Sequence, residues 1–193
     1  MAAANLDAPD VPGTPGALGE FDDIDLPDEA SLRDLASRVI ARGEELGLTV
    51  GCAESCTGGL VSATLTAIPG SSAVVRGGVV SYAIPVKHEV LGVSNDILDE
   101  PSLGAVSSEC AAQMCEGARR VLGCDVAVSI TGIAGPTGAE PGKPVGTVWF
   151  GITSAGGTTT VCHHLAGDRD GVRTRACGVA LQLLHDRLAE ESR

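Results

Sequence analysis

The chain has 193 residues, of which 44% are hydrophobic, and a formal net charge of −12 at pH 7. This length predicts one domain rather than two, and the acidic balance makes nucleic acid an unfavourable partner. The sequence has no run of about eighteen apolar residues and no basic, apolar opening typical of a secretory leader. We therefore expect neither membrane insertion nor export, and we predict a cytoplasmic protein.

The cysteines and histidines argue against a metal site. None of the seven cysteines forms a Cys-x-x-Cys pair, and the four histidines show no spacing that would complete a set of metal ligands. An odd number of cysteines suits a reducing compartment, in which cysteine serves as a small buried hydrophobic residue. We predict no bound metal ion.

The amino-terminal segment differs in composition from the rest of the chain. The first thirty residues contain eight acidic residues and no basic one, and they show no helical periodicity. Such a composition is typical of a disordered segment. We predict an acidic disordered tail over residues 1–27 and a folded domain over residues 28–193.

The folded part shows alternating helical and strand patterns, beginning with a helix over 29–46 that Asp28 can cap and Gly47 can end. The further predicted elements are a strand at 48–53, a helix near 58–68, a strand at 77–83, a short helix that carries Lys87, a mostly loop segment at 92–106, a helix capped by Ser107, a strand at 125–131, strands near 145–153 and 158–165, and a helix from about 169. Crossover units followed by a hairpin predict a three-layer α/β/α sandwich with a mixed β-sheet.

A turn rich in glycine and hydroxyl residues follows the first predicted strand. Ser55, Cys56 and Thr57 are candidate nucleophiles, and Gly58 and Gly59 allow backbone N–H groups to approach a ligand closely. The helix that follows offers unpaired N–H donors to an anion or oxyanion. This layout is typical of an active-site turn.

A second turn of the same kind follows the strand at 125–131. Thr131 ends this strand, and Gly132 and Gly135 follow it. Because ligands of open α/β sheets bind beyond the carboxyl ends of the strands, the second turn is also a candidate part of the site.

Lysine is rare in this chain. Of the 13 basic residues only Lys87 and Lys143 are lysines. A desolvated lysine can lose its proton and act as a base, which arginine effectively never does. Tyr82, the single tyrosine, precedes Lys87 by five residues. The alternative is that Lys87 is an exposed lysine and Tyr82 a packed tyrosine.

Seven groups of residues occur in the order in which they are found in one known family. They lie at 53–59, at 69–72 with 77–82, at 87 with 91–93, and at 104–107, 129–136, 143–149 and 167–169. In these residues the chain resembles the CinA carboxy-terminal domain family, the nicotinamide-nucleotide amidohydrolases. The resemblance covers about residues 28–190.

The resemblance implies hydrolysis of the carboxamide of nicotinamide mononucleotide, without a metal ion or cofactor. It implies Ser55 as the nucleophile, Lys87 as the base and Thr131 as a supporting hydroxyl. In the mechanism that follows, N–H groups of the first turn hold the oxyanion, while Thr131 or Tyr82 relays protons or fixes the lysine amine. Residues predicted to line the substrate site are Glu54, Cys56, Thr57, Gly58, Gly59, Gly132, Gly135, Arg169 and Arg173.

Several of these roles have alternatives. Cys56 is a second possible nucleophile, because a thiolate beside a helix start is activated. Glu54 either holds the turn by accepting backbone N–H groups or orients the lysine. Arg169 and Arg173 either bind the substrate phosphate or pair with nearby carboxylates, and Lys143 is a further phosphate candidate.

The chain also differs from the usual family pattern, with Ile84 where an asparagine is common and Thr137 where an aspartate is common. These differences predict altered substrate contacts. The competing function is that of a non-catalytic nucleotide-binding or regulatory module linked to competence or DNA damage. An exposed sheet edge would favour a homo-oligomer, such as a dimer.

Overall fold

The computed structural model describes residues 21–191 of the chain. The helices are α1 (Glu29–Leu46), α2 (Leu60–Thr66), α3 (Ile84–Glu89), α4 (Asn95–Leu98), α5 (Ser108–Leu122) and α6 (Arg169–Glu190). The strands are β1 (Val50–Glu54), β2 (Val75–Val80), β3 (Val126–Gly132), β4 (Thr147–Ser154) and β5 (Gly157–His164). Within the described residues, no helix is both long and apolar enough to cross a membrane.

The strands form one sheet in the order β2-β1-β3-β4-β5. Strand β1 pairs in parallel with β2 and β3, whereas β4 is antiparallel to both β3 and β5. Helices α1, α2 and α6 cover one face, and α5 covers the other together with the chain around α4. The predicted α/β/α sandwich with a mixed sheet is confirmed.

Burial follows the position of each strand in the sheet. Every residue of β1 is buried, as are the first six of β3, whereas residues of β2 are alternately half-buried and exposed. Central parallel strands are covered by helices on both faces, so their sequences are continuously apolar. Strands β2 and β5 are the two edges of the sheet. Pairing of such an edge with a second copy of the chain, as in a homo-oligomer, stays a prediction.

Side-chain caps place the starts of the long helices. The carboxylate of Asp28 accepts from Ser31 N at 2.8 Å, and Asp168 accepts from Gly171 N at 2.9 Å. Ser107 caps α5 in the same way. The predicted starts of these three helices are confirmed, because the capping residues that set them can be recognised in the sequence.

Two predicted segments differ from the structure. Strand β2 ends at Val80 rather than at residue 83, because α3 begins at Ile84 and the chain leaves the sheet before it. Tyr82 therefore lies in the connection after β2. The predicted loop over 92–106 contains the short helix α4, whose first turn is capped by the Ser94 side chain.

Two residues of the segment predicted as a tail, Asp22 and Ile24, contact the folded domain. Asp22 donates its N–H to His164 O, and its carboxylate lies 2.7 Å from the His163 ring. Arg175 Nε donates to Ile24 O at 2.8 Å, and Ile24 packs against the core. Residues 1–20 of the predicted tail lie outside the described residues.

The close approach of α5 to the segment after α3 depends on Gly117. A Cβ atom on Gly117 would lie 2.0 Å from the carbonyl oxygen of Leu91, which also accepts from Arg120 Nη2 at 3.0 Å. Leu91 follows α3, so this approach sets the distance between α5 and the helix that carries Lys87.

We expect Gly117→Ala to lower the free energy of unfolding by about 2 kcal/mol, because the added methyl group must displace backbone rather than a flexible side chain. Urea denaturation of the two proteins measures this difference. Gly156→Ala is the control, since its Cβ would come no closer than 3.4 Å to another atom. Equal stability of Gly117→Ala and the parent chain would contradict the prediction.

Candidate active site

The carboxyl ends of three parallel strands bring the predicted site residues to one edge of the sheet. Ser55 follows β1, Ser81 follows β2, and Thr131 lies near the end of β3. Lys87 reaches this edge from α3. Residues from four separate segments therefore meet where the two glycine turns begin.

Lys87 lies against the hydroxyl group of Ser55. Its Nζ atom is 2.8 Å from Ser55 Oγ and donates to the carbonyl oxygen of Ser81 at 2.6 Å. The residue is only 1% exposed. The alternative of an exposed lysine is therefore wrong.

The surroundings of Lys87 favour its neutral form. Burial lowers the pKa of the amine from its ordinary value. Within residues 21–191, no carboxylate forms an ion pair with it. A neutral amine at hydrogen-bond distance from a serine can accept the hydroxyl proton and activate the oxygen as a nucleophile.

The role of Ser81 was not predicted from the sequence. Its carbonyl oxygen holds the lysine amine, and its N–H donates to the carbonyl oxygen of Glu54 at 2.8 Å. Both are backbone interactions, which the identity of the side chain does not report. In the sequence, Ser81 was notable only as the residue before Tyr82 near the end of the predicted strand.

The first glycine turn leaves two backbone donors unused. The N–H of Ser55 donates to Ile130 O at 2.9 Å, and that of Gly58 donates to Ser55 O at 3.1 Å. Among the described residues, the N–H groups of Cys56 and Thr57 have no acceptor. Two such donors beside a nucleophile are suited to hold an oxyanion.

The glycines and Thr57 complete this turn. Gly58 and Gly59 have φ angles of 63° and 99°, in the left-handed region that side chains other than hydrogen disfavour. Thr57 is fully buried, and its Oγ1 has no hydrogen-bond partner in the part of the chain that the structure describes.

Glu54 has the first of its two predicted roles. Its carboxylate is fully buried and accepts from the N–H groups of Gly59, Val61 and Ser62 at 2.9, 3.1 and 2.8 Å. The Ser62 hydroxyl donates to it as well, at 2.6 Å. Glu54 thus holds the turn and makes no hydrogen bond to Lys87.

Cys56 is poorly suited to be the nucleophile. Its side chain belongs to the hydrophobic core cluster on the α6 side of the sheet, and burial raises the pKa of the thiol to about 11. The thiol is therefore protonated at neutral pH, and a thiol is a much weaker nucleophile than a thiolate.

Thr131 and Tyr82 make other contacts than the predicted ones. The buried hydroxyl of Thr131 donates to Ala105 O at 2.5 Å. Tyr82 is 61% exposed, and its hydroxyl accepts from Arg169 Nη2 at 3.2 Å. The lysine amine is thus held by Ser81 O in this structure, rather than by either of these hydroxyls. The alternative of a packed Tyr82 is wrong.

Two of the arginines of α6, Arg169 and Arg173, contact the two glycine turns. Arg169 Nη1 donates to Gly135 O at 2.9 Å, and Arg173 Nη2 donates to Thr57 O at 3.0 Å. Arg173 also lies 3.3 Å from the carboxylate of Asp170. A guanidinium group has five N–H donors, so each arginine keeps donors for a ligand.

Lys143 and Gly132 have structural contacts. Lys143 Nζ donates to Leu103 O at 2.5 Å and lies 3.2 Å from the carboxylate of Glu140. A Cβ atom on Gly132 would lie 2.6 Å from Thr147 O, so glycine permits the close approach of β4 there.

No group of three metal-binding side chains is present among residues 21–191.

Fold and site together define an α/β/α domain with a buried serine–lysine pair at the carboxyl edge of its sheet. The family model described as the CinA C-terminal domain matches residues 32–188. The chain belongs to the CinA C-terminal domain family, which confirms the resemblance found in the sequence.

Relatives of known name are similar over most of this chain. A CinA-like protein of Anaeromyxobacter dehalogenans is 49% identical over 150 residues, which are 78% of this chain and 35% of that protein. The chain thus spans about a third of the length of the CinA-like proteins. The nicotinamide-nucleotide amidohydrolase PncC of Enterobacter agglomerans is 44% identical over 80% of this chain and 93% of its own length.

Solved structures share the fold. The competence/damage inducible protein CihA of Agrobacterium tumefaciens is 38% identical, with a TM-score of 0.79 over 85% of this chain and 98% of its own. A CinA superfamily protein of Klebsiella pneumoniae is 36% identical, with a TM-score of 0.78 over 82% of this chain and 98% of its own.

The lowered pKa of Lys87 gives the stability of the fold a pH dependence of definite sign. The unfolded chain keeps the lysine proton up to about pH 10.4, whereas the folded protein releases it at lower pH. Because the unfolded state binds more protons in that interval, the free energy of unfolding should rise with pH there, relative to Lys87→Met, which cannot titrate. Urea denaturation of both proteins at a series of pH values measures the difference. A difference that stays flat or falls would contradict the assignment of a depressed pKa.

Proposed function

We propose that this protein hydrolyses the carboxamide of nicotinamide mononucleotide to nicotinate mononucleotide and ammonia, with Ser55 as nucleophile and Lys87 as base. The observation that carries the proposal is the 2.8 Å contact between a buried, uncompensated lysine amine and a serine hydroxyl. The relationship to a protein named nicotinamide-nucleotide amidohydrolase, over nearly all of that protein's length, supports the choice of substrate.

Acylation begins when neutral Lys87 accepts the proton of Ser55 Oγ, which then attacks the amide carbon. The N–H groups of Cys56 and Thr57 donate hydrogen bonds to the carbonyl oxygen and stabilise the negative charge that develops on it. Loss of one such donor typically costs about 2.7–4 kcal/mol of barrier. The protonated lysine then transfers its proton to the departing nitrogen, and ammonia leaves.

Deacylation repeats these steps with water. Lys87, neutral again, takes a proton from a water molecule that attacks the acyl-serine, and the same two N–H groups hold the second oxyanion. The lysine returns its proton to Ser55 Oγ as nicotinate mononucleotide forms. One lysine thus serves as base and acid in both halves of the reaction, while Ser81 O keeps its amine directed at Oγ.

The substrate phosphate is assigned in this proposal to Arg169 and Arg173. Both start from the first turns of α6, and both already contact the turns that surround Ser55. Their remaining donors suit a phosphate, which guanidinium groups bind in a bidentate manner. Lys143 is less suitable because Leu103 O and Glu140 occupy its amine.

The competing function, a nucleotide-binding module without catalysis, would place no demand on the distance between Lys87 and Ser55. A pure binder has no need of a buried lysine without a counter-ion, because such a group costs free energy to desolvate. The observed pair therefore favours the enzyme.

Ammonia release from nicotinamide mononucleotide tests this function. We expect Ser55→Ala and Lys87→Ala each to lower kcat/KM by at least about 10³-fold, because nucleophile and base act as one unit. Cys56→Ala should remain active, and exposed Ser102→Ala serves as the matched serine control. Absence of ammonia release by the folded parent chain would support the binding module instead.

The assignment of the phosphate is tested by comparing two substrates. Arg169→Gln should raise KM for the mononucleotide about 10- to 100-fold, as expected for loss of a charged hydrogen bond worth about 1.5–3 kcal/mol. Hydrolysis of nicotinamide riboside, which lacks the phosphate, should change little. Tyr82→Phe removes only the hydroxyl partner of Arg169 and is the control. An equal loss of activity with both substrates would indicate instead that Arg169 maintains the shape of the turn at Gly135.

A further inference from the structure

The start of α2 is closed by a carboxylate from within the chain. Glu54 ends β1, and its two oxygens accept from four donors that begin or precede α2, three backbone N–H groups and the Ser62 hydroxyl. Glu54 is fully buried. Hydrogen bonds to an ionised acceptor are about twice as strong as those between neutral groups.

These hydrogen bonds join the two ends of the first glycine turn. Glu54 directly precedes Ser55, whereas its donors follow Gly58, so residues 55–58 form a closed loop across the carboxylate. The loop is held from outside by the bond from Ser55 N to Ile130 O and by the bond from Arg173 to Thr57 O.

The backbone of Glu54 connects this loop to the base. Its carbonyl oxygen accepts from Ser81 N at 2.8 Å, and Ser81 O in turn accepts from Lys87 Nζ. The side chain of Glu54 therefore holds the nucleophile and the unused N–H groups, while its backbone holds the residue that directs the lysine.

We propose that Glu54 is a positioning residue that fixes the N–H groups of Cys56 and Thr57 for the oxyanion. This inference rests on the proposed amidase. Because the carboxylate accepts from the N–H groups that follow Gly58, the turn between them is closed, and its two unused N–H groups are the ones left for the reacting carbonyl.

The kinetic test uses Glu54→Gln in the full chain. The amide has nearly the same volume, but its NH₂ group cannot accept the N–H donors that one carboxylate oxygen accepts. We expect kcat for ammonia release to fall about 10²-fold, as for a small displacement of reacting groups, with KM nearly unchanged because the lost interaction is made in the transition state. Ser62→Ala is the matched control, because it removes only the hydroxyl donor and should keep most of kcat.

A second measurement does not depend on activity. Hydrogen–deuterium exchange of residues 55–62 should become faster in Glu54→Gln, while exchange in α5 stays at the parent level. Glu54→Asp, which keeps the charge on a shorter side chain, should lie between the two proteins in exchange and in kcat. It also serves in the kinetic test if Glu54→Gln does not fold.

The two measurements separate the inference from the proposed function. If the parent chain releases no ammonia but residues 55–62 exchange faster in Glu54→Gln, the role of Glu54 in closing the loop is supported and the proposed amidase activity is not. Unchanged kcat and unchanged exchange would overturn the inference, as would a raised KM with unchanged kcat, which would make Glu54 a substrate ligand. Faster exchange throughout the protein would also overturn it, because Glu54 would then act on stability alone.

Discussion

The buried amine of Lys87 is the constraint on which the site depends. A charged lysine without a carboxylate partner is costly to bury, so the interior favours its neutral form. The nearby thiols do not reverse this preference, because burial raises the pKa of both Cys56 and Cys110 to about 11. The pKa of the amine beside Ser55 therefore stays lowered.

Holding that amine in place requires both faces of the sheet. Helix α3 carries Lys87, and the approach of Gly117 to Leu91 brings α5 close to the chain that follows α3. On the other face α6 sends Arg173 to the first glycine turn and Arg169 to the second turn. Loops that carry catalytic groups are mobile unless a rigid scaffold positions them, and here both layers of helices supply that scaffold.

The first glycine turn shows how a local sequence pattern is given a definite shape by the rest of the structure. Two glycines with positive φ angles permit its shape, and Glu54 closes it by accepting donors from the start of α2. Within the turn, the N–H groups of Cys56 and Thr57 make no hydrogen bond to another described residue. The N–H groups at the start of α2 are thus paired with Glu54, whereas those within the turn are not.

Prediction from sequence succeeded where the controlling interaction is local. The start of α1 follows from the Asp28 cap, and the central strand β1 is recognisable as an apolar run that ends at a glycine turn. It was less accurate where the chain leaves the sheet, as for Tyr82, which lies after β2 because α3 begins at Ile84. The contacts of Asp22 with His163 and of Ile24 with Arg175 join residues more than a hundred positions apart, and no local pattern predicts such contacts.

The candidate site divides in the same way. The amino-acid sequence alone determined which residue types were available, namely a hydroxyl turn, a rare lysine and arginines at the start of a helix. Tertiary structure decided which of them meet, because the separation of Ser55 and Lys87 depends on strand order and helix packing. It also lowered the pKa of Lys87 through burial. The use of Ser81 O was likewise decided by tertiary structure, because a backbone carbonyl is the same in every residue and becomes a ligand only through its position.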